Sequence, residues 1–142
     1  MKIRVFSRED SLAVIQLWEA CGLTRPWNDP TKDIERKLLV QPELFLVGEL
    51  DNQIIASAMA GYDGHRGSVF YLAVSPRWQG NGYGKLLMEY IEALLIEKGC
   101  PKLNIVVRTS NDGVLSFYDK LGYKPDDVVS IGKRLISDEP HA

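Results

Sequence analysis

Residues 74–87 read VSPRWQGNGYGKLL, and they join an apolar strand to an amphipathic helix through a turn that carries three glycines. Glycine lets the backbone adopt conformations closed to other residues, and it lets a ligand approach the main chain closely. At the start of the following helix, N–H groups without a carbonyl partner and the helix dipole together favour an anion. The stretch therefore predicts a turn that can hold a phosphorylated ligand.

The spacing of Gly80, Gly82 and Gly84 argues against two common nucleotide-binding loops. A P-loop requires G-x-x-x-x-G-K followed by Ser or Thr, whereas this chain has Gln79 and Leu86 at the first and last of those positions. A dinucleotide-binding turn requires G-x-G-x-x-G, whereas these glycines are spaced two and two after an antiparallel meander. Neither ATP nor NAD is the expected ligand.

Hydrophobic periodicity on both sides of the turn predicts an α/β fold of the mixed α+β type, with helices flanking a mixed sheet. The strands before and after the glycine-loop helix form a crossover unit and should be parallel, whereas the earlier hairpin strands should be antiparallel. The run 69–74 is continuously apolar, as expected for a central strand buried on both faces. The predicted order begins with strand 2–6, a helix that starts within 7–10 and ends at 21, and a helix from 30 to 39 or 40. Strands 44–50, 54–62 and 68–74 follow, then helix 86–98 and strand 103–107. A helix capped by Ser110 or Asn111 runs to 121, and final strands are expected at 123 and 128–135.

Two motifs resemble the GNAT family of acyl-CoA-dependent N-acetyltransferases, including its small bacterial members. Residues 79–84 match the family's Q/R-x-x-G-x-G/A motif, and residues 111–123 match its N-x-x-A-x-x-F-Y-x-x-x-G-F/Y region. Val114 replaces the usual alanine at a packing position. The resemblance implies a central mixed, mostly antiparallel sheet with a splayed parallel central strand pair and about four flanking helices.

The same resemblance implies a binding site for acetyl-CoA. Backbone N–H groups of the glycine loop are expected around the pyrophosphate, and the pantetheine arm is expected beside the end of the preceding strand. Asn111 can hydrogen-bond the arm, although it equally fits a helix cap. The implied cofactor-binding residues are Leu72, Ala73, Val74, Gln79, Gly80, Asn81, Gly82, Tyr83, Gly84, Lys85, Asn111 and Tyr118.

Tyr118 is the implied general acid. The helical spacing of apolar residues alone predicts that it is a core aromatic residue, on the same helix face as Val114, Phe117 and Leu121. The family motif instead implies a hydroxyl near the CoA sulfur that protonates the departing thiolate. The acetyl group would pass directly to the acceptor, without an acetyl-enzyme intermediate.

The acceptor amine must lose a proton, so a base or a water chain is expected. Glu49, Asp63 and His65 are candidates, and Glu49 is favoured as a catalytic residue. Each also fits a structural reading, Glu49 as an exposed strand residue and the other two as turn residues. The expected acceptor contacts are Trp27, Asn28, Tyr62 and Asp63.

Two functions stay open on the sequence. One is transfer of acetyl to a primary amine, whether a small amine, a peptide α-amine or a lysine. The other is a catalytically silent acyl-CoA-binding regulatory module, which keeps the loop but needs no base. An assay of thiol release with several amines separates the two.

Length and composition set further expectations. The 142 residues predict one domain, 1–142, with 137–142 as a loose tail. A net charge of -2 argues against a nucleic-acid partner, and no apolar block suggests a signal peptide or a membrane partner, so a cytoplasmic location is expected. The two cysteines and two histidines lie too far apart to predict a metal site. No long exposed apolar segment is evident, which leaves monomer and homodimer open.

Overall fold

A computed structural model describes residues 1–139 of the chain. Within them the sheet and its helices follow the predicted order up to residue 120. The elements are β1 (Lys2–Val5), α1 (Ser11–Ala20), α2 (Pro30–Leu39), β2 (Phe45–Leu50), β3 (Gln53–Tyr62), β4 (Gly67–Val74), α3 (Tyr83–Glu97), β5 (Leu103–Asn104) and α4 (Asp112–Lys120), with short 3-10 helices at Arg8–Asp10, Pro42–Leu44 and Pro76–Trp78.

The strands form one sheet in the order β1-β2-β3-β4-β5. The first four are antiparallel neighbours, whereas β5 runs parallel to β4 through the pairs Gly67 with Leu103 and Ser68 with Asn104. The mixed fold class and the parallel pair across the crossover helix are thus confirmed. Because this pairing covers only the first part of β4, the last residues of β4 have no hydrogen-bonded strand on that side.

Local signals explain where two of the helices begin. The Asp29 carboxylate accepts hydrogen bonds from Thr31 N at 2.9 Å and Lys32 N at 3.3 Å, and proline occupies the first position of α2. At α4 the Asn111 side-chain oxygen accepts from Val114 N at 3.2 Å. Both predicted helix starts are confirmed.

Helices cover both faces of the sheet, as expected for a mixed α/β domain. On one face α1 and α2 bury Trp18 and Ile34 against Phe45. On the other, α3 packs through Leu87, Met88, Ile91 and Leu95. Helical spacing of apolar residues predicts that Leu86 and Tyr90 belong to the same buried stripe, but both are exposed.

Strand β4 contains a bulge that the sequence did not predict. Ser57 pairs with Ala73 and Met59 with Phe70, so two residues of β4, 71 and 72, oppose the single residue Ala58. Tyr71 adopts the left-handed conformation with φ 53°. The bulge changes the alternation of side chains, and Phe70 is 54 % exposed rather than buried as predicted.

The C-terminal part differs most from the prediction. Among the described residues, 123–139 form no helix or strand, so the final strands expected at 123 and 128–135 are wrong, and β5 ends at Asn104 rather than 107. As a result β5 is an edge strand, not one of a central pair. Asp138, in the tail expected to be loose, is buried with 5 % of its surface exposed. Residues 140–142 lie outside the described residues.

Candidate functional site

The turn between β4 and α3 has open space around two of its glycines. Gly80 and Gly82 have φ values of 83° and 80°, which L-residues rarely adopt, and a Cβ on either would meet nothing within 4 Å. The first hydrogen bond of α3 runs from Leu86 N to Gly82 O at 3.1 Å. The N–H groups of residues 83–85 precede it and have no carbonyl partner within the helix. This arrangement fits a pyrophosphate.

Side chains of the turn hold its shape. Gln79 Nε2 donates to Val74 O at 2.9 Å, and Asn81 Nδ2 donates to Trp78 O at 3.0 Å. Both amides therefore fix the backbone between strand and helix. These two side chains are therefore bound within the turn itself.

The bulge at Tyr71 is held from three directions. Its ring stacks on Trp18 with centroids 3.9 Å apart, and its carbonyl accepts from Ser57 Oγ at 3.0 Å. Its hydroxyl donates to Asp33 Oδ2 at 2.6 Å. Burial and this bond raise the pKa of the Tyr71 phenol, so it stays protonated at neutral pH. These contacts fix the backbone of β4 next to Leu72, a residue at which β4 has no pairing with β5.

Tyr118 lies in α4 on the face that packs against α3 and the sheet. Only 7 % of the residue is exposed, and its ring makes edge-to-face contacts with Phe117 and Tyr123 at centroid distances of 5.0 and 5.6 Å. Burial raises the pKa of its phenol to about 12. The hydroxyl is therefore protonated at neutral pH, which is the form that can act as an acid.

Helices α3 and α4 touch at the first turn of α3. A Cβ placed on Gly84 would lie 3.1 Å from the Phe117 ring, closer than most real side chains come. Phe117 precedes Tyr118 in α4. The start of α3 is therefore packed directly against α4 at Phe117.

Trp27 and Asn28 lie beside the C-terminal segment. Arg134 Nη1 donates to Asn28 Oδ1 at 3.0 Å, and Arg134 also donates to the Trp27 carbonyl. The Arg108 guanidinium lies 5.9 Å from the centre of the Trp27 ring, a cation–π distance. Trp27 is 47 % exposed, so it is accessible to a ligand.

A buried carboxylate, Asp138, ties this segment to α2. It accepts from Asp29 N at 3.0 Å, pairs with Arg36, and lies 3.0 Å from Arg134 Nη2. The bond from Arg36 holds the pKa of Asp138 well below its usual range. Sequence reasoning missed this cluster, because its members are far apart in the chain and charged residues near a terminus are usually solvated.

Tyr62 and Asp63 are not brought together with Trp27 and Asn28. The Tyr62 hydroxyl lies 3.4 Å from Gly99 O, just beyond the C-terminal end of α3. This 15-residue helix is about 22 Å long, so the Gly99 end is far from the glycine turn. Asp63 accepts from the N–H groups of the next turn residues, 65 and 66, at 2.8 Å each. That is the turn-forming role noted above.

Glu49 has an ionic partner in the structure. Its Oε1 lies 3.2 Å from Arg4 Nη2, and Arg4 is also bound to Asp10 at 2.8 Å. Strand β2 is separated from β4 by β3, so its backbone lies about 10 Å from that of β4. These contacts favour a structural role for Glu49.

Two features are absent from residues 1–139. No cluster of three or more His, Cys, Asp or Glu side chains is placed to hold a metal ion. No helix in this part of the chain combines the length and apolarity needed to cross a membrane.

Residues 11–123 match the acetyltransferase (GNAT) family. An acetyltransferase of Yersinia enterocolitica is 54 % identical over 141 residues, which covers 99 % of this chain and 100 % of the relative. An acetyltransferase of Pectobacterium atrosepticum is 51 % identical with the same coverage. The similarity to both relatives therefore extends over almost the whole chain.

Solved structures show the same fold. Ard1 of Thermoplasma volcanium has a TM-score of 0.74 and 27 % identity, covering 85 % of this chain and 80 % of its own. An aminoglycoside acetyltransferase from an uncultured soil metagenomic sample has a TM-score of 0.74 and 25 % identity, covering 95 % of this chain and 96 % of its own.

Proposed function

The chain belongs to the GNAT acetyltransferase family, and we propose that it transfers the acetyl group of acetyl-CoA directly to a primary amine as a single domain. The observation that carries this proposal is the start of α3, where Gly80 and Gly82 have positive φ and open space around their Cα atoms, and where the first N–H groups of the helix have no carbonyl partner within it. A helix N-terminus of this kind favours a pyrophosphate. The last residues of β4, which lie beyond its pairing with β5, have a free strand edge next to this turn. Such an edge supports binding of the pantetheine amides in the way that an added β-strand binds.

In this proposal, residues of β4 and α4 act on the acetyl group. The bulge at Tyr71 holds the following backbone N–H where it can donate to the acyl oxygen as negative charge develops there. Nitrogen of the amine forms a bond to the acetyl carbon, and the carbon–sulfur bond breaks. Tyr118 donates its proton to the departing sulfur, and the nitrogen gives up a proton to a base or to water.

For the acceptor side we propose Trp27 and Asn28, held by Arg134. The exposed indole offers an apolar and aromatic wall, and the Asn28 side chain offers a polar group beside it. Such a wall suits a small amine, a peptide α-amine or a lysine side chain. Tyr62 and Asp63 are left out of this wall because they lie near the far end of α3.

The test is release of free thiol from acetyl-CoA in the presence of a panel of small amines, peptides with free α-amines and lysine peptides. Calorimetry measures acetyl-CoA binding in parallel. We expect thiol release that depends on at least one amine. Binding without amine-dependent release would indicate the silent acyl-CoA-binding module instead, and absence of binding would overturn both functions.

Substitution of Gly82 should weaken acetyl-CoA binding. Gly82→Ala places a methyl group where the phosphates approach the main chain, and the loss of one charged hydrogen bond corresponds to a rise in Kd on the order of tenfold. Gly99→Ala is a matched control, because Gly99 also has a positive φ, 83°, and open space around it, but lies at the other end of α3. Both variants should lose similar stability, and equal loss of binding would contradict the assignment.

The substitution Glu49→Gln tests whether Glu49 is a catalytic base or a structural residue. Since the carboxylate pairs with Arg4 and is 30 % exposed, we expect Tm to fall by about 2–4 °C. The pH–rate profile should keep its acidic limb, in which the rate rises with pH as a general base loses its proton. A fall in kcat of about 100-fold with loss of that limb would identify Glu49 as the base after all.

A further inference from the structure

Two phenols belong to opposite faces of the sheet. Tyr118 packs in the core on the α3 side, whereas Tyr71, at the bulge of β4, stacks on Trp18 in the core on the side of α1 and α2. Trp27 and Asn28 lie in the loop that joins α1 to α2, so they share the face of Tyr71. An acyl group at the free edge of β4 therefore has the proposed acid on one face, and Tyr71 with the acceptor wall on the other.

A carboxylate lies at the end of the Tyr71 side chain. The hydroxyl donates to Asp33 Oδ2 at 2.6 Å, a distance typical of a hydroxyl bonded to a charged oxygen. The other oxygen of Asp33, Oδ1, lies 3.3 Å from Arg36 Nη1, and the Asp33 side chain is 22 % exposed. The phenol is thus bonded directly to a carboxylate that is in contact with water.

The charged groups around this pair connect it to the acceptor wall. Arg36 also binds the buried Asp138, which lies 3.0 Å from Arg134 Nη2. Arg134 in turn donates to both residues of the acceptor wall. Burial and the bond to the carboxylate raise the pKa of the Tyr71 phenol, and Asp138 adds to this effect whereas Arg134 opposes it. Both groups therefore lie near the Tyr71 hydroxyl.

We propose that Tyr71 and Asp33, here called the Tyr71–Asp33 dyad, take the proton from the acceptor nitrogen, a role that rests on the acetyl transfer proposed above. The Tyr71 oxygen accepts this proton while its own hydroxyl proton passes to Asp33 Oδ2. Tyr71 is then the catalytic residue, because it touches the nitrogen, and Asp33 acts through it.

The step balances in atoms and in charge. The nitrogen of the neutral amine bonds to the acetyl carbon, the electron pair of the carbon–sulfur bond leaves with the sulfur, and Tyr118 protonates the sulfur. The nitrogen, which is positively charged once it has bonded, loses one proton through Tyr71 to Asp33. Water then takes this proton from the neutral Asp33 and returns one to Tyr118, so the enzyme is restored.

The two groups of the dyad need each other. The buried phenol stays protonated at neutral pH, so it can accept a proton only if it passes its own on, and the 2.6 Å bond to Asp33 supplies the acceptor. A carboxylate is too weak a base for a free ammonium, so the amine arrives neutral. It is basic enough for a nitrogen that gains positive charge as it bonds to the acyl carbon.

Asp33→Asn tests the dyad with little change in shape. The amide oxygen still accepts the hydrogen bond of the Tyr71 hydroxyl, but the amide does not take up its proton. We expect kcat for amine-dependent thiol release to fall about 100-fold, while KM for the amine and Kd for acetyl-CoA stay close to those of the wild type. A purely structural role of Asp33 predicts an unchanged kcat, since the hydrogen bond is kept.

Tyr71→Phe removes the hydroxyl, keeps the ring that stacks on Trp18, and should be about as slow. The double variant, Tyr71→Phe with Asp33→Asn, should be no slower than either single variant, because the losses of residues that act as a unit are not additive. Glu35→Gln is the matched control. It neutralises a carboxylate of the same helix that binds Arg8 at 2.6 Å on the exposed surface, and it should keep the wild-type kcat.

Three results would overturn the dyad: a folded Asp33→Asn with the kcat of the wild type, a double variant that shows the product of the two single losses, or a Glu35→Gln as slow as Asp33→Asn. Far-UV circular dichroism shows whether each variant is folded. A wild-type chain that binds acetyl-CoA but releases no thiol with any amine would instead overturn acetyl transfer, and the dyad with it. Because Asp33→Asn keeps the hydrogen bond to Tyr71, the test stands even if Tyr71→Phe does not fold.

Discussion

Tyr118→Phe is expected to lower kcat about 100-fold or more while leaving the Kd for acetyl-CoA close to that of the wild type. General acid catalysis by a positioned side chain contributes about 10²- to 10⁴-fold, and the substitution removes only the donating hydroxyl. The ring keeps its edge-to-face contacts with Phe117 and Tyr123. Steady-state kinetics and calorimetric titration of acetyl-CoA measure the two quantities separately.

Tyr123→Phe is the matched control for this experiment. It removes a neighbouring phenol whose ring packs on Tyr118 but whose hydroxyl is bound to Glu92. We expect a loss of stability and little change in kcat. If both variants were equally slow, packing around Tyr118 rather than its proton would account for the effect, and an unchanged kcat in Tyr118→Phe would remove it from the acid role.

Trp18→Ala is expected to cost about 3–5 kcal/mol of unfolding free energy, the usual range for removing a large buried aromatic side chain. Trp18 is completely buried, stacks on Tyr71 and donates from Nε1 to Ser57 Oγ at 2.9 Å. The substitution removes the support of the bulge together with part of the core. Urea denaturation followed by circular dichroism measures the loss.

Trp18→Phe keeps an aromatic ring at the same place and should cost much less, about 1–3 kcal/mol. Ser57 Oγ still donates to the Tyr71 carbonyl, so no buried donor is left unpaired. A similar cost for the phenylalanine and alanine variants would show that the indole hydrogen bond, rather than the stack, supports the bulge.

Features that depend on neighbouring residues were predicted well. Asp29 followed by proline marked the start of α2, and Asn111 marked the start of α4, because a cap and its N–H partners lie within three residues of each other. The order of strands up to β5 also followed from runs of apolar residues. Such signals depend only on residues that are close together in the sequence.

The bulge of β4 could not be predicted in this way. The bulge arises because β4 has two residues where β3 has one between the same paired positions. The residue in the left-handed conformation is a tyrosine rather than a glycine. Trp18, Ser57 and Asp33 stabilise that conformation from three separate elements. A continuous apolar run therefore predicted a uniformly buried strand, and Phe70 turned out exposed.

The same limit applies at the C-terminus and at the candidate site. The residues 128–135 have the composition of a strand, but a strand forms only against a partner, and the described chain supplies none. At the site, the sequence named Trp27 and Asn28 but missed Arg134, which binds Asn28, and Asp138, which accepts from Asp29 N. Both residues are more than a hundred positions away in the chain.

The contact between Gly84 and Phe117 has a consequence for which donors the enzyme accepts. The glycine turn and the helix of Tyr118 are packed closely, since a Cβ added at Gly84 would lie 3.1 Å from the Phe117 ring. Under the proposed function, this contact keeps the distance between the turn and α4 constant. We therefore expect a thioester with a shorter arm than that of acetyl-CoA to bind through its phosphates but to react more slowly, because its sulfur does not reach Tyr118.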